Sequence, residues 1–405
     1  MPNDLFHGQF EKAPCAWSLV PLKMLMTVES GKEVIVEVHE GENAVPVYGS
    51  GLLPFKFTDR SISSRRAIVF GRKGTIGQPY LVSPPYWLVD TAYYATPKNG
   101  VALQYLYFLL SVFDWQPFVT NTAKPSLVAN DILTEKVPCP SVIQQEEIVE
   151  FLESKTTEID ALIEKLSRQV ELLERYRREL IARTVTRGLN PDVPIRDSGI
   201  EWIGKIPEHW VVERLQWRAS QVIVDNDPFI TDQILSLVKD VGVIPFEERG
   251  SKGNKAKTDL SAYKVAFPGT IVMNSMNVII GSVGISNDLG LVSPVYYVFK
   301  NKPNTSLRFL NYAFRTRAFQ KELRKYANGI LEIRLRVSAS AVLKRMLAFP
   351  PLEEQRVIAD YLDEKMSEID ATVSGIRKQI ELLGKYRKQI INDAVTGKVR
   401  VGEVA

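Results

Sequence analysis

What most constrains the fold of this chain is that one stretch of it occurs twice. Residues 145–186 (QEEIVEFLESKTTEIDALIEKLSRQVELLERYRRELIARTVT) return at 355–396 (QRVIADYLDEKMSEIDATVSGIRKQIELLGKYRKQIINDAVT) with a constant offset of 210 and no gap. Roughly 40% of the aligned positions are identical, and a self-match of that length at a fixed period signals duplication rather than shared composition. Placing Ile159 at heptad position a puts Leu166, Leu173 and Leu180 at the following a positions, with Leu162, Gln169 and Tyr176 at d. The second copy gives Ile369, Ile376, Leu383 and Ile390 at a, with Thr372, Gln379 and Tyr386 at d. An apolar stripe on that spacing is a coiled-coil seam. About 40 helical residues at 1.5 Å rise make a rod of about 60 Å. A lone rod cannot bury its own seam, and the other copy is the nearest complementary partner. Gln169 and Gln379 share a d position, where a buried polar side chain fixes register more than it stabilises. Because the copies follow head to tail, an antiparallel pairing would make the molecule pseudo-twofold symmetric. The competing arrangement packs each helix on its own domain as a core element. In either arrangement Arg175, Arg177 and Arg178 are solvated face or subunit contact.

At 405 residues the chain is too long for one ordinary core. Residues 19–139 read as a mixed α/β unit, with strand-like runs at 33–38 (EVIVEV) and 67–70 (AIVF) and a buried helix at 103–113 (LQYLYFLLSVF). Pro138 and Pro140 stop that unit before the first repeated helix. Residues 187–204 are rich in Gly and Pro and lack helical period, which reads as a linker. Residues 202–210 (WIGKIPEHW) open a second α/β unit, closed by Pro350 and Pro351. The resulting boundaries are 1–140, helix 141–187, linker 188–205, 206–350 and helix 351–398. At the same offset Gly71 and Gly74 align with Gly281 and Gly284, and Val82, Ser83, Pro84 and Tyr86 with Val292, Ser293, Pro294 and Tyr296. Farther out the match fades. The expected fold class is α+β, two pseudo-twofold related α/β domains separated by two long antiparallel coiled-coil helices. Divergent surfaces on a repeated scaffold suggest two related binding tasks with different targets.

Composition narrows the function classes. Hydrophobic content of 45% with 24% charge suits a soluble globular chain. No apolar run approaches the roughly 18 residues of a membrane span. The N-terminal residues carry acids and no apolar core of signal-peptide length, which argues against export. Cys15 and Cys139 are expected as reduced thiols of a cytoplasmic protein. His7, His39 and His209 are scattered without metal-site spacing, so no metal is expected. Net charge of +4 is unevenly spread: residues 1–140 carry 12 Lys+Arg against 12 Asp+Glu, whereas 206–350 carry 20 against 12. The excess in the second globule permits phosphate contact there.

Two strings invite a catalytic reading. Residues 70–75 (FGRKGT) loosely match a Gly-rich cofactor loop, and residues 83–87 (SPPYW) are similar to a signature of amino-methyltransferases. The glycine spacing is not that of F-x-G-x-G, no acidic residue follows to grip a ribose, and too few residues separate the strings for a nucleotide fold. No nucleophile, carboxylate pair or metal set recurs in both halves, and no P-loop is present, so no catalytic residue is expected. The same loops suit DNA contact. Gly71, Arg72, Lys73 and Gly74 form a tight turn with two adjacent cations, suited to approach a phosphate or a guanine edge. In the counterpart, Gly281 and Ser282 follow Asn274 and Asn277, which can hydrogen-bond bases. Lys124 aligns with Arg334, near Arg336, and Lys252, Lys255 and Lys257 lie in a basic loop that would add phosphate contacts.

The architecture closely resembles the specificity subunit of type I restriction-modification systems. The resemblance is carried by residues 198–210 (SGIEWIGKIPEHW), residues 350–355 (PPLEEQ) and the tandem globule-helix repeat, and it covers nearly the whole chain. The first helix entrance departs from the pattern, with PSVIQQ at 140–145 in place of Pro-Pro-x-x-Glu-Gln. The resemblance implies two target recognition domains, each reading half of a split DNA sequence, and helices that act as ruler and as docking site for two modification subunits. It implies no cofactor in this chain: S-adenosylmethionine belongs to the modification subunits, ATP and Mg2+ to restriction subunits. The alternatives are a free-standing DNA amino-methyltransferase and a non-catalytic coiled-coil scaffold.

Overall fold

The β-branched run Ala67–Gly71 is fully buried, and a strand buried on both faces needs cover on both sides. The computed structural model of the chain describes residues 17–238, 241–249, 259–276, 281–327 and 335–401. In it, Ala67–Gly71 lies inside a four-stranded antiparallel sheet of order Met26–Ser30, Ala92–Pro97, Ala67–Gly71, Tyr80–Val82. Helix Leu103–Ser111 covers one face, packing Tyr105, Leu106 and Leu109 with Ile68 and Phe70. A second cluster, Val69, Tyr80, Tyr86 and Tyr94, closes the other. Strand Lys136–Cys139 pairs with Ser18–Pro21 and leads into the first long helix, Val142–Arg187. The second globule repeats this order with Ala219–Val222, Tyr296–Asn301, Thr270–Asn274 and Val283–Ser286. Helix Leu307–Arg315 covers it, and Met346–Phe349, paired with Val211–Arg214, leads into the second long helix, Leu352–Val395. Among the described residues no helix is long and apolar enough to cross a membrane.

Each long helix has a stated start and stop. Ser141 and Gln144 cap the first reciprocally: Gln144 N donates to Ser141 Oγ (3.4 Å) and Ser141 N to Gln144 Oε1 (3.1 Å). The second follows Pro351 and carries Glu353 and Glu354 in its first turn, where acids suit the helix dipole. Gly188 and Gly397, at φ 71° and 72°, end the helices in the left-handed conformation glycine adopts without strain.

The chain divides into two compact units that cut across both helices: Met1–Ser167 with Arg377–Ala405, and Arg168–Ile376. In the first, Ile148 and Leu152 of the first helix share a core with Ile391, Ala394 and Val395 of the second. Farther along, Asp160 receives two hydrogen bonds from Arg387 (2.8 and 3.0 Å). Numbers rise on one helix as they fall on the other, so the helix segments run antiparallel. In the second unit Ile181 and Val185 share a core with Ile358 and Leu362, and Arg177 pairs with Asp370. Asp370 and Arg387 are the repeat counterparts of Asp160 and Arg177, so one ion pair is built twice with the roles of the helices exchanged.

The seam departs from the expected a and d frame. Ile159 and Ile369 are buried, and Leu166, Leu173, Leu180, Ile376, Leu383 and Ile390 are half-buried, as a positions should be. The d positions face outward: Gln169 and Gln379 are exposed, and Leu162, Tyr176 and Tyr386 are 45%, 50% and 55% exposed. The inward row is completed by the e positions Ile163, Val170, Val373 and Ile380. These are all apolar and β-branched, whereas d carries Gln and Thr, so burying a with e costs less polar desolvation. Among the described residues the buried glutamines are Gln145 and Gln355, at the helix starts. Gln145 Oε1 accepts from Ala102 N (2.8 Å) while its Nε2 donates to Pro140 O (3.1 Å). Gln355 Oε1 accepts from Ser306 N (2.8 Å) while its Nε2 donates to Pro350 O (2.9 Å) and Asn304 O (3.2 Å). Each staples a long helix to the loop ahead of its globule's covering helix.

The stretch read as a linker, residues 188–205, is ordered within the second unit. Ile195–Asp197 pairs with Lys205–Pro207, and Ile203, Ile206 and Trp210 are buried in that core. Trp210 Nε1 and His209 Nε2 both meet the Glu354 carboxylate (3.1 and 2.8 Å), tying this hairpin to the second helix entrance. Gln355→Leu removes a buried donor and acceptor at once and should lower stability by about 2–3 kcal/mol. Urea unfolding followed by tryptophan fluorescence measures this; an unchanged midpoint would show that the staple contributes nothing.

Candidate nucleic-acid interface

The central strand of the first unit ends at Gly71, where nothing larger fits: a Cβ there would lie 1.7 Å from Thr75 O. The turn that follows is pinned by its backbone. Arg72 N and Lys73 N both donate to Thr91 O (2.8 and 3.2 Å), and Arg72 O accepts from Leu127 N (2.9 Å). Lys73 also bridges Ser126, so the loop bearing Thr120, Thr122 and the exposed Lys124 is zipped onto the turn. The structure thus brings Gly71, Arg72, Lys73, Gly74 and Lys124 together. Their roles differ. Arg72 is half-buried over the Tyr93 ring (5.4 Å), with Nε buried and unbonded among the described residues. Lys73 extends toward solvent and pairs with Asp90 at 3.3 Å. Such a pair contributes little to stability and leaves the ammonium available.

The equivalent turn in the second unit runs from Thr270–Asn274 to Val283–Ser286. Topologically Asn274, not Gly281, stands where Gly71 stands, since each ends the central strand of its sheet. The constant offset holds for the helices but fails in the globules. Val82 pairs with Ala67 inside the main sheet, whereas Val292 pairs with Lys264 outside it. The turn after the central strand is equally long in both, residues 72–79 and 275–282, so it is length differences elsewhere in the globules that move the register. Asn274, Gly281 and Ser282 are buried rather than presented. Asn274 Oδ1 accepts from Met276 N (3.0 Å), and a Cβ on Gly281 would strike Gln320 Nε2 at 2.5 Å. Ser275 O accepts from Val337 N (3.1 Å), which brings the exposed Arg336 beside Met276, much as the Lys124 loop meets the first turn. Lys252, Lys255, Lys257, Asn277 and Arg334 lie outside the described residues.

Part of the positive excess of the second globule is engaged internally. Arg218 bonds Glu213 (2.8 Å) and lies over Phe349, Arg308 pairs with Asp360 and Asp363, and Arg345 stacks on Tyr326 at 3.4 Å. Burial pulls the Lys264 ammonium below its ordinary range while it donates to Tyr296 O (2.8 Å). The Ser83 to Trp87 string is likewise structural: Tyr86 is fully buried with its hydroxyl donated to Arg65 O (2.9 Å), and Trp87 Nε1 donates to Lys32 O (2.8 Å). These atoms are committed to the protein's own backbone. Sequence reasoning missed Tyr80 and Thr91. Burial pushes the Tyr80 phenol up, helped by nearby Tyr48, which keeps it a donor to Gly49 O (3.0 Å).

Two copies of one globule-helix arrangement are matched by one family description. "Type I restriction modification DNA specificity domain" fits residues 14–172 and again 230–382. The chain belongs to this family. Among curated relatives of this DNA specificity family, the type I restriction enzyme MjaVIII specificity subunit of Methanocaldococcus jannaschii is 27% identical over 279 residues. That match covers 66% of this chain and 62% of the relative, so it spans less than two thirds of that protein's length. The putative MjaX specificity subunit of the same organism is 25% identical, covering 75% of this chain and 70% of its own. The fold is shared with a chain from a study of complex assembly and conformational transition of the type I R-M system. That likeness has a TM-score of 0.68 at 15% identity over 96% of this chain and 100% of the other. It is shared also with the HsdS subunit of Thermoanaerobacter tengcongensis, at TM-score 0.52, 17% identity and coverage of 96% and 98%.

The close-packed and the cation-bearing positions of the turn separate by experiment. Gly71→Ala forces the backbone at Thr75 to move and should cost about 2–3 kcal/mol, whereas Lys73→Ala should stay within about 0.5 kcal/mol of the parent. Equal urea midpoints for the two variants would refute the close-approach role of Gly71.

Proposed function

We propose that this chain is the DNA-recognition subunit of a type I restriction-modification system, reading a target split into two parts, one part per α/β unit. The observation that carries this reading is a shared sheet whose central strand ends, in both units, in a turn zipped to a second loop, while the chemistry on those turns differs. In the first, Lys73 and Lys124 reach solvent; in the second, Arg336 does. Membership of a DNA specificity family supports it. Cations at such turns suit phosphate oxygens and set orientation, while neighbouring loops meet base edges.

The outward rows of the helices suit partner subunits. Leu162, Leu382 and Tyr386 line an apolar groove in the first unit, and Leu172 and Tyr176, the repeat counterparts of Leu382 and Tyr386, are exposed in the second. The same outward row occurring twice suits two copies of a modification subunit. Those subunits would hold S-adenosylmethionine and transfer the methyl group, and restriction subunits joining them would use ATP and Mg2+; this chain would supply recognition and no catalytic group. The length of the repeated helices would set the unread spacer between the two parts of the target.

Methylation mapping of cells with and without this gene gives the target sequence. Replacing residues 1–140 with another recognition domain should change one half of that sequence only; a change in both halves would sink the modular reading. Lys73→Ala combined with Lys124→Ala should weaken duplex binding and reduce the slope of log affinity against log salt by about 2. An unchanged slope would remove this turn from the DNA face.

A further inference from the structure

Leu52 and Leu53 stand 62% and 80% exposed at the tip of the hairpin loop between Val45–Tyr48 and Lys56–Thr58, with Phe55 beside them 55% exposed. Isolated surface leucines need no explanation, but adjacent ones on a fixed loop invite one. The loop is fixed to the cationic turn. Tyr80 holds Gly49 O, a Cβ on Gly71 would come 3.0 Å from Ser50 Cβ, and one on Gly74 would come 3.2 Å from Ser50 Oγ. Thr91, whose carbonyl accepts both Arg72 N and Lys73 N, would stand 3.1 Å from a Cβ on Gly49. Leu52, Leu53, Lys73 and Lys124 therefore belong to one rigid surface of the first unit.

The second unit builds the same juxtaposition from different residues. Its corresponding hairpin, Leu235–Val238 with Gly242–Pro245, presses on the strand that leaves the equivalent turn, Val283–Ser286, so closely that a Cβ on Gly284 would fall 2.7 Å from Gly242 Cα. The residue before Gly242 is Val241, 65% exposed. In both units an exposed aliphatic side chain thus sits on a hairpin packed against the turn that follows the central strand or the strand that leaves it.

Aliphatic groups have nothing to offer a phosphate. On a duplex the base-edge feature they match is the thymine C5-methyl, which projects into the major groove. We propose that Leu52 and Leu53 are specificity-determining residues that read thymine methyl groups in the part of the target met by the first unit, with Lys73 and Lys124 on the flanking phosphates. This rests on the DNA-recognition reading and deepens it.

Uracil differs from thymine only by the missing methyl, so the test needs no change in the protein. Fluorescence anisotropy with the full chain, co-purified with its modification subunits, compares the target duplex with duplexes carrying uracil for thymine in one half-site at a time. Substitution in one half-site should weaken binding about threefold to tenfold, the size expected for losing one or two buried methyl contacts. Leu52→Ala with Leu53→Ala should bind thymine and uracil duplexes equally in that half and still distinguish the other half as the parent does. A parent that binds thymine and uracil duplexes alike in both halves overturns the proposal. So does a first half-site lacking any T·A pair, or a double variant that still discriminates. A parent that binds no duplex at all overturns the recognition reading itself, an outcome separate from these.

Discussion

Ile391, Ala394 and Val395, at the far end of the second long helix, sit in the core of the first globule, and Ile181 and Val185 of the first helix sit in that of the second. Each fully buried Ile or Val contributes roughly 1.5–3 kcal/mol. Two or three of them make a large share of the roughly 5–15 kcal/mol by which a domain is stable. Neither globule therefore closes its core with its own half of the chain. Within each unit one ion pair, Asp160 with Arg387 or Arg177 with Asp370, matches the register at which this happens.

That dependence explains which parts of the repeat stay alike. Gln145 and Gln355 satisfy loop backbone at the entrances, Gly188 and Gly397 end the helices, and the a positions stay apolar in both copies. These positions act on the protein's own packing. The turns after Gly71 and Asn274 lie beyond the last paired residues of their central strands, where the core holds some positions, such as Gly77 against Trp115 and the buried Ser282, and leaves others free to differ. Divergence there costs the fold little, so two residues past the strand end the same scaffold can carry Lys73 in one unit and Met276 in the other.

The helices and their antiparallel sense were legible because a duplicated heptad has few ways to bury itself. The face was not, because three rows of each helix are apolar enough to serve: a with d and a with e both score as a seam, and only the polarity of Gln169, Gln379 and Thr372 against Ile163, Val170, Val373 and Ile380 decides between them. Glycines in the globules were legible as close-approach sites, but not which kind. Gly71 ends a strand, and Gly281 lies against Gln320 at the start of the next one. Composition marked 188–205 as a linker, yet Ile203 reaches the core and Ile195–Asp197 pairs with Lys205–Pro207, since a Gly- and Pro-rich segment needs few anchors to be held.

Charge proved a weaker guide than topology. The second globule holds the net positive excess, but Arg218, Arg308 and Arg345 are directed at the protein's own carboxylates and rings, and Lys264 is desolvated by its surroundings. The electrically neutral first globule is the one that presents Lys73 and Lys124 at the edge of a pinned turn. A field that steers a polyanion depends on cations that remain solvated and unpaired by strong partners, not on their number in the sequence. Placement by backbone is therefore the stronger argument for where a duplex would lie: Thr91 O gathers the turn, Leu127 N ties the second loop to it, and Tyr80 ties a third. Three loops joined at the end of one strand make a surface that can hold base-reading groups at fixed spacing, and fixed spacing is what discrimination between base pairs requires.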